Sequence, residues 1–136
     1  MPELKEYHIL ISHSWDYDNQ YRKVKEWLDD ARNFAWKDYS VPFDKAIDAD
    51  SKKELKQKLR NKISACNCII ILSGMYVSYS EWIDYEIDTA LEFKKPIVGV
   101  EPWGQERVPS KVRDNADKMV GWNADSVVKA VRECAL

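Results

Sequence analysis

The residue with the clearest potential for chemistry is Glu86, a carboxylate within an apolar helical pattern. At about 100° per residue, the stretch 78–95 is predicted to form an amphipathic helix with one broad apolar face. That face comprises Tyr79, Trp82, Ile83, Ile87, Ala90, Leu91 and Phe93. Glu86 falls near its middle, whereas the other acidic residues of the stretch fall on the opposite side. An ionised carboxylate in an apolar site costs several kcal/mol unless it is compensated. Glu86 is therefore either paired with a cation or placed for chemistry.

The side chains that could accompany Glu86 are aromatic rings and small polar groups near the ends of predicted strands. Trp82 lies one helical turn before Glu86, so the two side chains meet. The other candidates are Ser12, His13, Phe43 and Asp44. Such a pocket suits a flat aromatic ligand with a ribose, because the rings stack on the base and the carboxylate stabilises positive charge on the sugar as a glycosidic bond breaks. One carboxylate suffices when the leaving group is already cationic, as nicotinamide is in NAD.

A structural interpretation of the same residues stays open. Glu86 would then form an ion pair with one of three cations, Lys45, Arg60 or Arg113. In this interpretation Trp82 is a core residue, His13 a loop or core histidine, and Asp44 a turn residue. Spacing alone does not decide between the two.

The composition favours one folded domain spanning 1–136. A chain of 136 residues with 45% hydrophobic residues can bury a sizeable core. The net charge of −2 gives no general attraction to nucleic acid or to an anionic membrane. No stretch is long and apolar enough to span a membrane, and the charged N-terminus lacks the pattern of a signal peptide, so we expect a cytoplasmic location. Three cysteines and two histidines offer too few ligands for a metal site, and reduced thiols are expected.

Strand and helix patterns alternate along the chain. Strands are predicted at 7–12, 35–39, 66–72, 96–100 and 118–122. Helices are predicted at 19–34, from a capping box at Ser51 and Glu54 onward, at 78–95 and at 125–134. The segments 40–50 and 101–116 are predicted to be irregular. This alternation predicts a parallel sheet with helices on both faces, in which ligands bind beyond the carboxyl ends of the strands.

Several common chemistries of such sheets lack their motifs here. The chain has no GxGxxG fingerprint for a dinucleotide and no GxxxxGK[ST] loop for phosphate. It also has no GxSxG nucleophile elbow of the kind that hydrolases use. What remains is the carboxylate with its aromatic and hydroxyl neighbours.

The helix that carries Glu86 resembles a known family motif. Residues 80–91 (SEWIDYEIDTAL), followed by Lys95-Pro96-Ile97-Val98, are similar to the W-x-x-x-E helix and the next strand of Toll/interleukin-1 receptor (TIR) domains. The start of the chain also fits, with Ile11-Ser12 ending a strand and Asp16-Tyr17-Asp18 before a helix. Val41-Pro42-Phe43-Asp44 resembles the start of the family's BB loop. The similarity covers most of the chain and is greatest to bacterial TIR-like proteins of antiviral defence, such as the Thoeris type.

This resemblance implies a fold and an activity. The fold would be an α/β, flavodoxin-like or TIR-like single domain with a central parallel sheet of about five strands. Glu86 would be the catalytic residue of an NAD glycohydrolase or ADP-ribosyl cyclase, with NAD as substrate and no further cofactor. Self-association through the loop 40–50 and a downstream effector that senses the product are the implied partners. Two other functions remain open, a non-catalytic TIR-like adaptor that self-associates and a nucleoside deoxyribosyltransferase-like enzyme whose glutamate is a covalent nucleophile.

Overall fold

The fold is an α/β domain in which strands and helices alternate. The computed structural model describes residues 6–12, 18–41, 49–73, 76–101 and 108–135, with side chains at all of these except 18, 49–51 and 76–80. The strands are β1 (Glu6–Ile11), β2 (Ala35–Asp38), β3 (Cys68–Leu72), β4 (Ile97–Val100) and β5 (Lys118–Val120). The helices are α1 (Asp18–Asp30), α2 (Ala49–Ala65), α3 (Tyr76–Glu92), α4 (Ser110–Asn115) and α5 (Ala124–Cys134).

The five strands form one parallel sheet in the order β2-β1-β3-β4-β5. This is the flavodoxin-like order, in which the chain runs outward from β1 in both directions. The helices pack in two groups, α1 with α5 and α2 with α3, while α4 contacts α3 and β4. The predicted fold class is therefore confirmed, and β1 ends at the switch point where such folds bind ligands.

The centre of the sheet is fully covered. Every residue of β3 and of β4 is buried, as a continuous apolar run predicts for a strand with helices on both faces. The outer strands β2 and β5 are half-buried or exposed. Across the parts of the chain that the structure describes, no helix has the length and apolar character needed to cross a membrane.

Helix α1 ends at Asp30, four residues earlier than the apolar spacing predicts. The turn that stops it contains Asn33, whose φ of 53° is in the left-handed region that asparagine tolerates. Phe34 then leaves the helix direction and stacks on Tyr7, with ring centroids 4.8 Å apart. The ring that completed the helical pattern is thus a core residue next to β1.

Two further boundaries differ from the sequence-based predictions. Helix α2 already begins at Ala49, so the proposed capping box is wrong, because Ser51 is the third residue of the helix rather than its cap. The segment 101–116 was predicted to be irregular but contains α4, which follows Pro109. Only Val112 of this six-residue helix is buried. A single apolar position has no periodicity, so the sequence pattern could not reveal the helix.

The apolar face of α3 is largely as predicted. Four of its members are buried, namely Trp82, Ile83, Ile87 and Ala90. Leu91 is 47% exposed and does not belong to this face, since five residues rotate it about 140° away from Glu86. Phe93 follows the helix and is half-buried beneath Arg60. The side chain of Tyr79 lies outside the described residues.

Candidate active site

Glu86 faces the sheet from the middle of α3 and is fully buried. Ser12, which directly follows β1, is 1% exposed and donates a hydrogen bond from Oγ to Oε1 of Glu86 over 3.2 Å. The structure thus brings together two of the predicted site residues, which are 74 positions apart. They meet at the carboxyl end of β1, the switch point of the sheet, where the fold places its ligands.

The backbone around Ser12 is held on both sides by the neighbouring strands. The Ser12 amide donates to the carbonyl of Ile70 over 2.9 Å, which extends the pairing of β1 with β3. On the other side, the amide of Ile11 donates to Oγ of Ser40 over 2.8 Å. The hydroxyl that meets Glu86 is therefore positioned by the sheet.

Burial dominates the electrostatics of Glu86. Removal of the carboxylate from water raises its pKa to about 8, and the hydrogen bond from Ser12 opposes this rise. Its second oxygen, Oε2, is buried and has no hydrogen-bond partner within the described residues. At neutral pH the group is therefore mostly protonated, and it has one oxygen available for a new interaction.

Two of the three cations proposed for a structural ion pair are engaged elsewhere. Arg60 forms a bidentate pair with Glu92, with N–O distances of 2.7 and 2.8 Å. Arg113 donates to a backbone carbonyl just before α4. Lys45 lies outside the described residues. Among the side chains that the structure does describe, no cation pairs with Glu86.

Trp82 borders Glu86 from the preceding turn of α3 and is 3% exposed. The ammonium group of Lys56 on α2 lies 5.9 Å from the centroid of its ring and 5.4 Å from that of Tyr85. Trp82 therefore contributes to packing between α2 and α3 as well as to the surroundings of Glu86. The remaining predicted site residues, His13, Phe43 and Asp44, lie outside the described residues.

A polar chain beside the site was missed by sequence reasoning. Oδ1 of Asp38, the last residue of β2, accepts a hydrogen bond from the Ser40 amide over 2.8 Å. Oδ2 of Asp38 accepts one from the hydroxyl of Tyr21 on α1. The position of Ser40 after a predicted strand could have marked it as a rim residue, but nothing in the spacing indicates its bond to Ile11.

The described residues offer no cluster of three or more histidine, cysteine, aspartate or glutamate side chains that could hold a metal ion. All three cysteines are free thiols. Burial raises the pKa of the Cys66 thiol to about 11, so this group is neutral and unreactive at physiological pH.

Two open clefts lie away from Ser12 and Glu86. One, of about 660 Å³, runs between α1 and α5 and is lined by Trp27, Arg32 and Lys129 among others. The other, of about 520 Å³, lies near the end of α3 and is lined by Leu91, Lys95 and Asp117 among others. Neither is lined by a buried polar group without a partner, whereas the Ser12–Glu86 pair includes one, Oε2 of Glu86.

Comparison with solved structures identifies a similar fold. The structure of the CMP N-glycosidase BcmB of Clostridium botulinum superposes with a TM-score of 0.56 and covers 92% of this chain and 98% of its own. The sequences are 11% identical, so the likeness concerns the fold alone. A search of curated protein sequences found no significant match.

Comparison with protein families gives a more specific result. The family described as "Thoeris protein ThsB, TIR-like domain" matches residues 10–107. The match covers more than half of the chain and includes both Ser12 and Glu86. It agrees with the W-x-x-x-E resemblance of α3. This chain therefore belongs to the family of Thoeris ThsB TIR-like domains.

Proposed function

We propose that this protein cleaves NAD at the bond between nicotinamide and ribose, with Glu86 as the catalytic carboxylate. The observation that carries the proposal is that Glu86 is fully buried, with one hydrogen bond and with no paired cation among the described residues. Such an arrangement costs stability, and natural proteins retain such costs at functional sites. The product, a linear or cyclic ADP-ribose, would act as a signal to a downstream effector in bacterial antiviral defence.

The chemistry follows from the charge of the substrate. When the glycosidic bond of NAD breaks, its electron pair moves to the pyridinium nitrogen, so nicotinamide leaves as a neutral molecule without an added proton. Positive charge develops on the ribose carbon, and a carboxylate nearby lowers the energy of that transition state. The stabilisation is larger in a dry site than in water, because the local dielectric constant is low.

Because the pKa of Glu86 is raised, binding of the substrate would itself control whether Glu86 is ionised. Before binding, the group is mostly protonated at neutral pH because burial raises its pKa to about 8. A cationic nicotinamide ring placed next to it favours the ionised form, so binding would release the proton. The site would thus become charged only when a cationic substrate occupies it.

A second candidate is a nucleotide N-glycosidase that acts on an uncharged base. It is favoured by the structural similarity to the CMP N-glycosidase BcmB. In this alternative, as in nucleoside deoxyribosyltransferases, Glu86 would attack the sugar as a nucleophile. A neutral base leaves less readily than nicotinamide and requires protonation by a second group.

A non-catalytic adaptor is the third candidate, from a different functional class. It would use the same domain for self-association and would have no need of a buried, unpaired carboxylate. Replacing Glu86 by glutamine would therefore leave the function of an adaptor intact. Absence of turnover by the wild-type protein, alone and with lysate, in the experiment below would favour the adaptor.

The decisive experiment is an incubation of the purified protein with NAD or CMP, alone and with lysate of infected cells, followed by mass spectrometry of the products. We expect nicotinamide and ADP-ribose, linear or cyclic, from NAD and no cytosine from CMP. Glu86→Gln should abolish turnover while Glu92→Gln, an exposed position on the same helix, should retain it. Release of cytosine alone would support the second candidate, and turnover by a folded Glu86→Gln protein would exclude a catalytic role for this residue.

We also propose that the isolated protein is nearly inactive until it self-associates through the loop 40–50. Glu86 has no exposed surface in the structure, so NAD requires a rearrangement to reach it. If the loop of one copy completes the site of another, NAD turnover per molecule should rise steeply with protein concentration. Changes of Phe43 or Lys45 should flatten that rise without lowering the melting temperature. Constant turnover per molecule from nanomolar to high micromolar concentration would indicate a self-sufficient monomer.

A further inference from the structure

We infer that Ser12 is a positioning residue, whose hydroxyl fixes Oε1 of Glu86 and leaves Oε2 as the oxygen that meets the reacting sugar. This inference rests on the proposed function and replaces the expectation that Ser12 binds the substrate. The two oxygens of Glu86 have different surroundings: Oε1 accepts from Ser12 over 3.2 Å, whereas Oε2 has no partner within the described chain. The carboxylate is therefore held asymmetrically.

The hydroxyl of Ser12 has one proton to donate, and that proton is used by Glu86. It cannot at the same time donate to a ribose oxygen. The acceptor role of Oε1 is compatible with an acid proton on Oε2 when Glu86 is protonated. Binding of a cationic substrate next to Oε2 would then favour loss of that proton to solvent, and the negative charge would be shared by the two oxygens.

The precision of this contact comes from the backbone. The amide of Ser12 is bonded to β3, and the preceding amide, that of Ile11, is bonded to the side chain of Ser40. Ser40 is itself held by Asp38, which also accepts a hydrogen bond from α1. The end of β1 is thus held by β3 on one side and by Ser40, which follows β2, on the other, so the hydroxyl of Ser12 extends from a fixed backbone toward α3. Such fixed donors are the means by which a site avoids reorganisation during a reaction.

Four charged groups on the elements around Glu86 have other partners, whereas Oδ1 of Asp84 is buried without a hydrogen-bond partner within the described residues. They are Lys56 at the aromatic rings of α3, Arg60 at Glu92, Lys111 at Asp88, and His8 at Glu6. On β3 the one titratable group is the buried thiol of Cys68, whose pKa is raised by burial. Asp84 lies two positions before Glu86 and therefore on another side of α3. The hydrogen bond from Ser12 is thus the described contact that favours ionisation of Glu86.

The inference can be tested without turnover, by ¹³C NMR of the glutamate side-chain carboxyl groups across pH, with Glu86→Gln assigning the resonance. Ser12→Ala removes the donor, so the titration midpoint of Glu86 should rise by about one pH unit, which corresponds to the loss of one hydrogen bond to a charged group. Ser12→Thr retains the hydroxyl and should restore the midpoint. Ser12→Cys has a similar volume and a weak donor, so its midpoint should lie between those of Ser12→Ala and the wild type. This variant keeps the test valid if threonine does not fit at position 12. Ser64→Ala, which removes an exposed hydroxyl bonded within α2, is the matched control.

NAD kinetics supply the second measurement. Ser12→Ala should lower kcat about tenfold with little change in KM, and it should shift the acid limb of the kcat/KM profile upward by the same interval as the NMR midpoint. A rise in KM with an unchanged midpoint would overturn the inference and assign Ser12 to substrate binding. If the midpoint shifts as expected in a protein that does not cleave NAD, the positioning of Glu86 by Ser12 stands and the proposed function fails.

Discussion

Two glutamates on helix α3, Glu86 and Glu92, differ in burial, in pairing and in the direction of their pKa shifts. Glu92, at the end of the helix, is exposed and forms a bidentate pair with Arg60, and this contact lowers its pKa. Glu86, six residues earlier, is buried without a paired cation among the described residues, and its pKa is raised to about 8. The same residue type on the same helix is thus either paired at the surface or held unpaired inside the core.

The difference separates a surface contact from the carboxylate that we propose to be catalytic. The exposed pair with Arg60 contributes little, as is usual for ion pairs screened by solvent, although the guanidinium also stacks 4.8 Å from the centroid of Phe93. Glu86 costs stability whenever it is ionised, because no described group except Ser12 compensates for the lost hydration. A chain selected for stability alone would have an apolar residue or an amide at position 86.

The largest expected effect is on turnover. Glu86→Gln keeps the shape of the side chain and removes its charge, so NAD turnover should fall by at least about 100-fold, as with the loss of one main electrostatic contact in other active sites. Glu92→Gln should change turnover by less than about twofold. Product formation measured by mass spectrometry, with folding checked by circular dichroism, tests both variants. Equal losses in the two would remove the distinction between the glutamates.

The second effect is on stability as a function of pH. The pKa of Glu86 is raised in the folded protein to about 8 from an ordinary value of 4.5, so the folded state holds a proton that the unfolded chain releases. The free energy of unfolding should therefore fall as pH rises through this window, by about 1.4 kcal/mol for each pH unit, and level off above the folded pKa. Glu86→Gln should lack this contribution and be more stable than the wild type at pH 8. Urea denaturation of both proteins between pH 5 and 9 gives the difference, and parallel curves would contradict the raised pKa.

The third effect is the pH dependence of catalysis. If the ionised form of Glu86 is required in the free enzyme, kcat/KM for NAD should rise about tenfold per pH unit up to pH about 8 and then level off. The profile for kcat should level off at lower pH, because the cationic substrate favours ionisation in the complex. Initial rates in constant ionic strength buffers measure both. A flat kcat/KM from pH 6 to 9 would show that burial does not control this group.

The smallest effect concerns the surface pair. Glu92→Gln removes the charge that Arg60 binds, and the melting temperature should fall slightly, with the decrease reduced further in high salt because the pair is exposed. Arg60→Lys, which keeps the charge but loses the bidentate contact, serves as the comparison. Melting curves at low and high salt measure the change. If Glu92→Gln lowers the stability as much as Glu86→Gln raises it at pH 8, the pair of Arg60 with Glu92 is more than a weak surface contact.

The sequence predicted those parts of the fold and site that depend on local pattern. The strand β3 followed from its continuous apolar run, and the unusual place of Glu86 followed from helical periodicity. Short α4 was missed because a single buried residue, Val112, provides no period. The helical spacing of Phe34 was misleading, since its ring enters the core after a turn in the left-handed region at Asn33.

Contacts between distant segments could not be read in the same way. The rule that parallel strands end at one rim predicted that Ser12 would approach Glu86, but it did not predict which atoms would meet. The chain from Tyr21 through Asp38 to Ser40 depends on side-chain directions that spacing does not specify. The ion pair of Arg60 with Glu92 likewise depends on how α2 packs on α3. Spacing does not specify that packing, so the sequence left Arg60 as a candidate partner for Glu86.

The separation of 74 positions between Ser12 and Glu86 has a consequence for synthesis of the chain. During synthesis, the ribosome completes β1, β2 and β3 before α3 emerges. Ser12 therefore has no contact with Glu86 until α3 has been made. Contacts so distant in sequence form late, because closing a long loop costs entropy before any packing repays it. Truncated products that end before residue 86 lack the carboxylate that we propose to be catalytic, so we expect them to have no NAD-cleaving activity. Splitting the gene between β3 and α3 would give two inactive fragments whose reassembly could be followed by recovery of NAD cleavage.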